Sequence, residues 1–60
     1  TYRTAGENLA KARDTAWAHQ RLMASDGHRA NILDPSFTHI GVGIVSYQYG
    51  VVVTELFIGK

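Results

Sequence analysis

Glu7 and His28 are the two side chains whose types could do acid–base or metal chemistry together. Glu7 stands in Gly6-Glu7-Asn8-Leu9-Ala10, and His28 in Ser25-Asp26-Gly27-His28-Arg29-Ala30-Asn31-Ile32-Leu33. Only the fold can bring two such segments together, and a carboxylate–imidazole pair is the material of a polar cleft or a metal site. His28 follows a glycine in the first turn of an expected helix. There the helix dipole disfavours imidazolium and favours the neutral ring, which binds metals and accepts protons. The structural alternatives are a histidine that caps the helix or bonds a loop carbonyl, and a Glu7 that pins a loop through backbone amides.

The remaining polar residues give less. His19, His28 and His39 fit neither a His-x3-His helix pair nor His-Glu-x-x-His, so no local metal motif exists. His19 is expected at the edge of the core and His39 at the surface or a layer edge. Glu55 shares a strand face with Val51, Val53 and Phe57. If that face is buried it needs a partner such as Arg29 or a loop amide; otherwise it is an exposed hairpin residue. No cysteine, no Gly-x-Ser-x-Gly elbow and no phosphate-binding glycine loop occurs. Ser25 is three residues from His28, but an N-cap serine is expected to be occupied by backbone amides.

The elements that must position these groups can be read in order. Thr1 to Ala10 reads as a short extended segment turning into a loop at Gly6. Asp14 is an N-cap for a helix over Thr15 to Ala24, which is free of Gly and Pro. Its apolar face is expected to be Ala12, Ala16, His19 and Met23, widened by Leu22 and bordered by Trp17. Ser25 then caps a second, short helix, with Asp26 on its dipole, Gly27 relieving the joint and Asp34-Pro35 closing it. Thr38 to Tyr47 alternates, with Ile40, Val42 and Ile44 on one face and His39, Gly41, Gly43 and Val45 on the other. Val51 to Ile58 is nearly continuous apolar sequence, and Gln48-Tyr49-Gly50 turns the two strands into an antiparallel hairpin. Such a strand implies a sheet covered on both faces, with close backbone approach at Gly41 and Gly43.

Sixty residues allow at most one small domain, whose core rarely supplies more than about 3–5 kcal/mol. With 45% apolar and 18% charged residues the composition is that of a folded chain, yet no disulfide can staple it. The net charge of +1 comes from scattered residues with no basic stripe, which leaves nucleic-acid binding without electrostatic support. No apolar run approaches the roughly 20 residues of a membrane span. One helix and a half cannot cover two faces of a sheet, so either self-association or a further N-terminal half is expected to do so.

Three segments in this order resemble the C-terminal half of a CAP-superfamily domain, the SCP domain of cysteine-rich secretory and pathogenesis-related proteins, in its bacterial secreted form. They are Gly6 to Ala10, Ser25 to Leu33, and Phe37-Thr38-His39-Ile40-Gly41-Val42-Gly43 leading into Val53-Thr54-Glu55-Leu56-Phe57. The resemblance implies an α/β/α sandwich. Residues 1–60 would be the C-terminal portion of one such domain, an α+β piece of helix, short helix and antiparallel hairpin. It also implies two histidines and two acidic residues around a central cleft, which in some members holds a divalent metal such as zinc. Glu7 matches the acidic residue of the Gly-Glu-Asn motif and His28 the histidine of the Gly-His motif. The other histidine would precede Thr1. The second acid normally follows a tryptophan, whereas Trp17 is followed by Ala18-His19-Gln20-Arg21.

The resemblance further implies secretion or attachment to the cell envelope. The ligands it suggests are a lipid, a sterol or a cell-wall component. Three functions remain open. One is a binding module with a polar Glu7/His28 cleft, and another a protease-like, metal-assisted hydrolase with His28 as base and Glu7 orienting it or binding the metal. The third is a purely structural pair holding the Gly6-Glu7-Asn8 loop against the short helix. Since no nucleophile or activated water stands out, binding is favoured over catalysis.

Overall fold

A computed structural model describes residues 2–60 and shows five elements: β1 (Thr4–Ala12), α1 (Thr15–Ala24), α2 (Asp26–Leu33), β2 (His39–Tyr47) and β3 (Gly50–Gly59). Thr1 of the first expected segment lies outside the described residues. The strands form one antiparallel sheet in the order β1-β3-β2. The main departure from the sequence expectation is β1. Gly6-Glu7-Asn8 is not a loop but the middle of a nine-residue strand that pairs with β3 from Thr4↔Gly59 to Ala12↔Val51. Gly6 is tolerated there because that point needs a missing side chain. A Cβ on Gly6 would lie 2.9 Å from Phe37 Cζ and 3.1 Å from Asn31 Oδ1.

The register sorts the sheet into two faces, because successive side chains alternate. Gly6, Asn8, Ala10 and Ala12 of β1 share one face with Val51, Val53, Glu55 and Phe57 of β3, and both helices pack there. On this face lie the buried residues Asn8, Ala12, Val53 and Phe57, met from α1 by Ala18 and Leu22. Phe37, from the segment after α2, stacks on Phe57 with ring centroids 5.4 Å apart. The opposite face, carrying Glu7, Leu9, Lys11 and Leu56, is open.

α1 begins where expected, with the Trp17 N–H donating to Asp14 Oδ1 at 2.8 Å. Its buried face is rotated from the expected one. Ala18 and Leu22 are buried, whereas Ala16 and His19 are exposed and Met23 is half-buried. The sequence pattern is degenerate here, since Ala16 and Ala18 are equally apolar, and the crossing over β1 selects the face. Trp17 stays outside, under the Arg13 guanidinium at 4.9 Å.

Ser25 ends α1 and starts α2 in one extended residue (φ −100°, ψ 122°): its N–H donates to Leu22 O, and its carbonyl accepts from Arg29 N–H. α2 stops at Leu33, with Asp34 in the extended conformation that a following proline demands. Gly27 is not needed at the joint, since a Cβ there would meet nothing within 4 Å.

The hairpin forms as expected, with Tyr47↔Gly50 closing a two-residue turn at Gln48-Tyr49 and Gly50 at φ 151°. Coverage of both faces is not found among the described residues. The helices lie over β1 and β3, and every residue of β2 is exposed, including Ile40, Val42 and Ile44. Gly41 and Gly43 share the open face and have nothing within 4 Å of a Cβ position. The described residues therefore form an α+β unit with helices on one face of a three-stranded sheet. No helix among them is long and apolar enough to cross a membrane, which says nothing of β-barrels.

Candidate functional site

Asn8, to which sequence reading gave no role, is the polar centre of the molecule. It is 1% exposed, and its amide joins three elements. Asn8 Nδ2 donates to the His28 carbonyl at 3.0 Å and to Glu55 Oε1 at 3.2 Å, while Asn8 Oδ1 accepts from Asn31 Nδ2 at 2.9 Å. Asn31 Nδ2 also donates to the Glu7 carbonyl at 3.3 Å. β1 is thereby tied to β3 through Glu55 and to α2 at His28 and Asn31. No buried side-chain polar atom among the described residues lacks a partner. Glu55 is neither an exposed hairpin residue nor the partner of Arg29. It is half-buried on the helix-covered face, with the Asn8 amide as its donor. Strand alternation over Gly6-Asn8-Ala10 was the signal that could have placed Asn8 inward, and a loop reading of Gly6 erases it.

His28 is half-buried in the first turn of α2. Its Nδ1 lies 2.9 Å from Ser25 Oγ. This overturns the expectation that the Ser25 hydroxyl is occupied by helix amides, since no side-chain cap bond forms at this helix start. The hydroxyl instead fixes the ring and leaves Nε2 as the atom available to a ligand. Beside the ring is an open pocket of about 320 Å³ whose lining includes Ser25, His28, Leu22 and Arg21 from the helices and Leu9, Ala10 and Lys11 from β1. β1 is a sheet edge, and the pocket opens along it.

Glu7 is exposed and points to the face opposite Asn8. No hydrogen bond joins it to His28 among the described residues; the two can approach only around the free edge of β1. A group of three or more His, Asp, Glu or Cys placed to hold a metal ion is absent among the described residues. Among the described residues, Glu7 and His28 are not gathered into such a group. His19 is exposed, not at the core edge, and His39 is exposed at the start of β2 with Nδ1 2.7 Å from Thr38 Oγ1.

A second pocket, of about 240 Å³, lies between the end of α2 and the sheet, lined by Ile32, Phe37, Ile40 and Phe57 with Asp34, His39 and Glu55 at its polar points. Asp34 there is held below the ordinary carboxyl value, first by the Ser36 backbone N–H at 2.8 Å and then by the Ser36 hydroxyl.

A protein of Bacillus subtilis (strain 168), printed as "Uncharacterized protein YkwD", is 52% identical over 66 aligned positions, taking in 100% of this chain and 23% of that protein. The chain thus spans about a quarter of the length of this relative. No solved structure matches the chain. The sequence profile described as "CAP: Cysteine-rich secretory protein family" matches residues 1–57, although this stretch contains no cysteine. The chain belongs to the CAP, or cysteine-rich secretory protein, family.

Proposed function

We propose that these residues are the C-terminal portion of one CAP/SCP domain that is secreted or held at the cell envelope. It acts as a binding module, with its ligand seated beside His28. The observation that carries this reading is the open pocket at the edge of β1, into whose lining His28 is set with one ring nitrogen fixed by Ser25 and the other free. The polar cluster of Asn8, Asn31 and Glu55 lies outside this pocket's lining and is spent on structure, its side chains bonding one another and the backbone. The family's α/β/α sandwich accounts for the open sheet face as the seat of a second helical layer. A metal site of Glu7 and His28 would need further ligands from outside these residues.

A second reading has one specific observation in its favour. Ser25 Oγ and His28 Nδ1 are at nucleophile–base distance, so a serine hydrolase is the enzymatic alternative. It lacks the third group that orients the base, because no described residue bonds His28 Nε2. Exposure of the full chain to a fluorophosphonate, read by intact mass, separates the two. The binding reading expects no adduct at Ser25. A stoichiometric adduct that disappears in both Ser25→Ala and His28→Ala would overturn it.

A further inference from the structure

At Leu9 and Lys11 it is the backbone of β1, not its side chains, that faces the pocket beside His28. Both side chains project to the sheet face opposite the helices, so these two positions bring their main chain to the opening. The direction of that main chain follows from the neighbouring ladder. The Ile58 carbonyl of β3 accepts from the Thr38 N–H on the β2 side at 2.9 Å, and the Gly59 carbonyl accepts from the Arg3 N–H on the β1 side at 2.7 Å. Backbone groups alternate in direction along a strand. The odd-numbered residues of β3 therefore turn toward β1, and their even-numbered partners on β1 turn back to meet them. Ala5, Glu7, Leu9 and Lys11 hold their N–H and C=O groups outward from the free edge.

Two of these outward carbonyls are already taken. Glu7 O accepts from Asn31 Nδ2 and Lys11 O from Arg21 Nη1, each at 3.3 Å. The donors come from different helices, and both bonds agree with the alternation. Leu9 lies midway between them, and among the described residues no side chain bonds its N–H or its C=O. It offers one donor and one acceptor side by side, at the mouth of a pocket of about 320 Å³ walled by Leu22, Ser25 and His28.

We infer that this pocket takes a short extended peptide, paired antiparallel with Leu9 across the edge of β1. The inference rests on the binding reading above and names the class of ligand. In an antiparallel ladder one residue exchanges both of its backbone bonds with the residue opposite, which uses the Leu9 donor and acceptor together. The next residue of the peptide then lies opposite Ala10 and turns its side chain to the helix-covered face, where Leu22 and His28 line the pocket. Main-chain bonds supply the affinity of such strand addition, and the side-chain seat supplies its selectivity. The ligand is short because Asn31 and Arg21 stand where the next donors of a longer partner would reach the edge. The nine-residue β1 of a second copy would have to displace both.

The probe is an acetylated, amidated pentapeptide of alternating threonine and valine, which is uncharged and favours the extended state. It is titrated into the full chain while backbone amide shifts are followed. Saturable shifts are expected at Leu9, Lys11, Ser25 and His28, with hydrogen exchange of the Leu9 N–H slowed in the complex. Leu9→Pro removes an outward N–H, a change that edge strands accommodate, and is expected to weaken binding roughly tenfold. Ala5→Pro makes the same change outside the pocket lining and should leave binding unchanged. N-methylation of single peptide bonds in the ligand repeats the test without touching the fold. Affinity should fall only at alternate positions, because only alternate N–H groups of the peptide face β1. Shifts that do not saturate, shifts confined to β2, or equal losses at successive N-methylated positions would overturn the site. A fluorophosphonate adduct at Ser25 would overturn the binding reading itself, whereas failure of the peptide to bind with no adduct would overturn only the peptide assignment.

Discussion

Asn8 is the side chain whose removal reaches furthest. Its amide serves the His28 carbonyl, Glu55 and Asn31 at once, in a place almost closed to water. Asn8→Ala strands two acceptors and one donor, one of them a carboxylate, and is expected to cost about 2–3 kcal/mol. Against the roughly 3–5 kcal/mol available to a core of this size, that is most of the stability. Urea unfolding of the variant checks it, with Glu55→Gln as control: that change keeps an acceptor for Asn8 and should be mild. Asp34 gives a pH test of known sign. The Ser36 amide and hydroxyl depress its folded pKa, so its contribution is complete above the unfolded value of about 3.9 and fades as pH falls through the lower folded one. An NMR titration of the Asp34 carboxyl should show its midpoint below that of a model peptide, and Asp34→Asn should flatten the stability profile under pH 4. Glu7 and His28 could be picked out by type and neighbourhood, but the bonding of Asn8 could not. A lone Asn has no periodicity of its own, and its value comes from three partners distant in sequence.

Glycines separate what an element needs from what it merely contains. Gly50 turns the hairpin at φ 151°, and a Cβ there would fall 2.2 Å from the Ala12 carbonyl oxygen. Gly50→Ala is therefore expected to destabilise by about 1–3 kcal/mol or more. Gly27 sits in the first turn of α2 with open space around it, so Gly27→Ala should stabilise by about 0.5–1 kcal/mol through helix propensity alone. Thermal melts of the two variants beside the parent check both signs. The same contrast explains which elements could be read in advance. Asp14, Asp34-Pro35 and Gly50 are local devices, and the helix start, the helix end and the hairpin turn stand where those residues put them. β1 and the rotation of α1 are not local. β1 is a strand because β3 pairs with all of it, and α1 buries Ala18 over Ala16 because of the angle at which it crosses that strand. A glycine followed by two polar residues carries no sign of a partner some fifty residues away in sequence, like the Gly6↔Phe57 pair.

The slab these elements build, 37 × 22 × 12 Å, is thinner and more exposed than a compact chain of its mass. Its accessible surface is 4364 Å², against about 3,900 Å² expected at 6.6 kDa. The radius of gyration is 11.9 Å, against about 10 Å for 60 compact residues. Among the described residues only Ala12, Ala18, Leu22, Val53 and Phe57 make up the buried apolar core, while Ile40, Val42, Ile44, Val45 and Leu56 are all more than half exposed. β2 is moreover an edge strand with a free backbone ladder and uncovered apolar side chains on both sides, the combination that invites pairing with another chain. Exposure on this scale leaves too little buried apolar area to offset chain entropy, so residues 1–60 alone should be marginally stable and associate through β2. Sedimentation velocity of the 60-residue chain should show average mass rising with concentration. Val45→Lys, which puts a charge on that edge strand from the open face, opposite the core, should shift the distribution toward monomer. A monomer at all concentrations that melts cooperatively well above about 60 °C would show that the exposed sheet is no liability, since ordinary domains of independent stability melt near 45–65 °C.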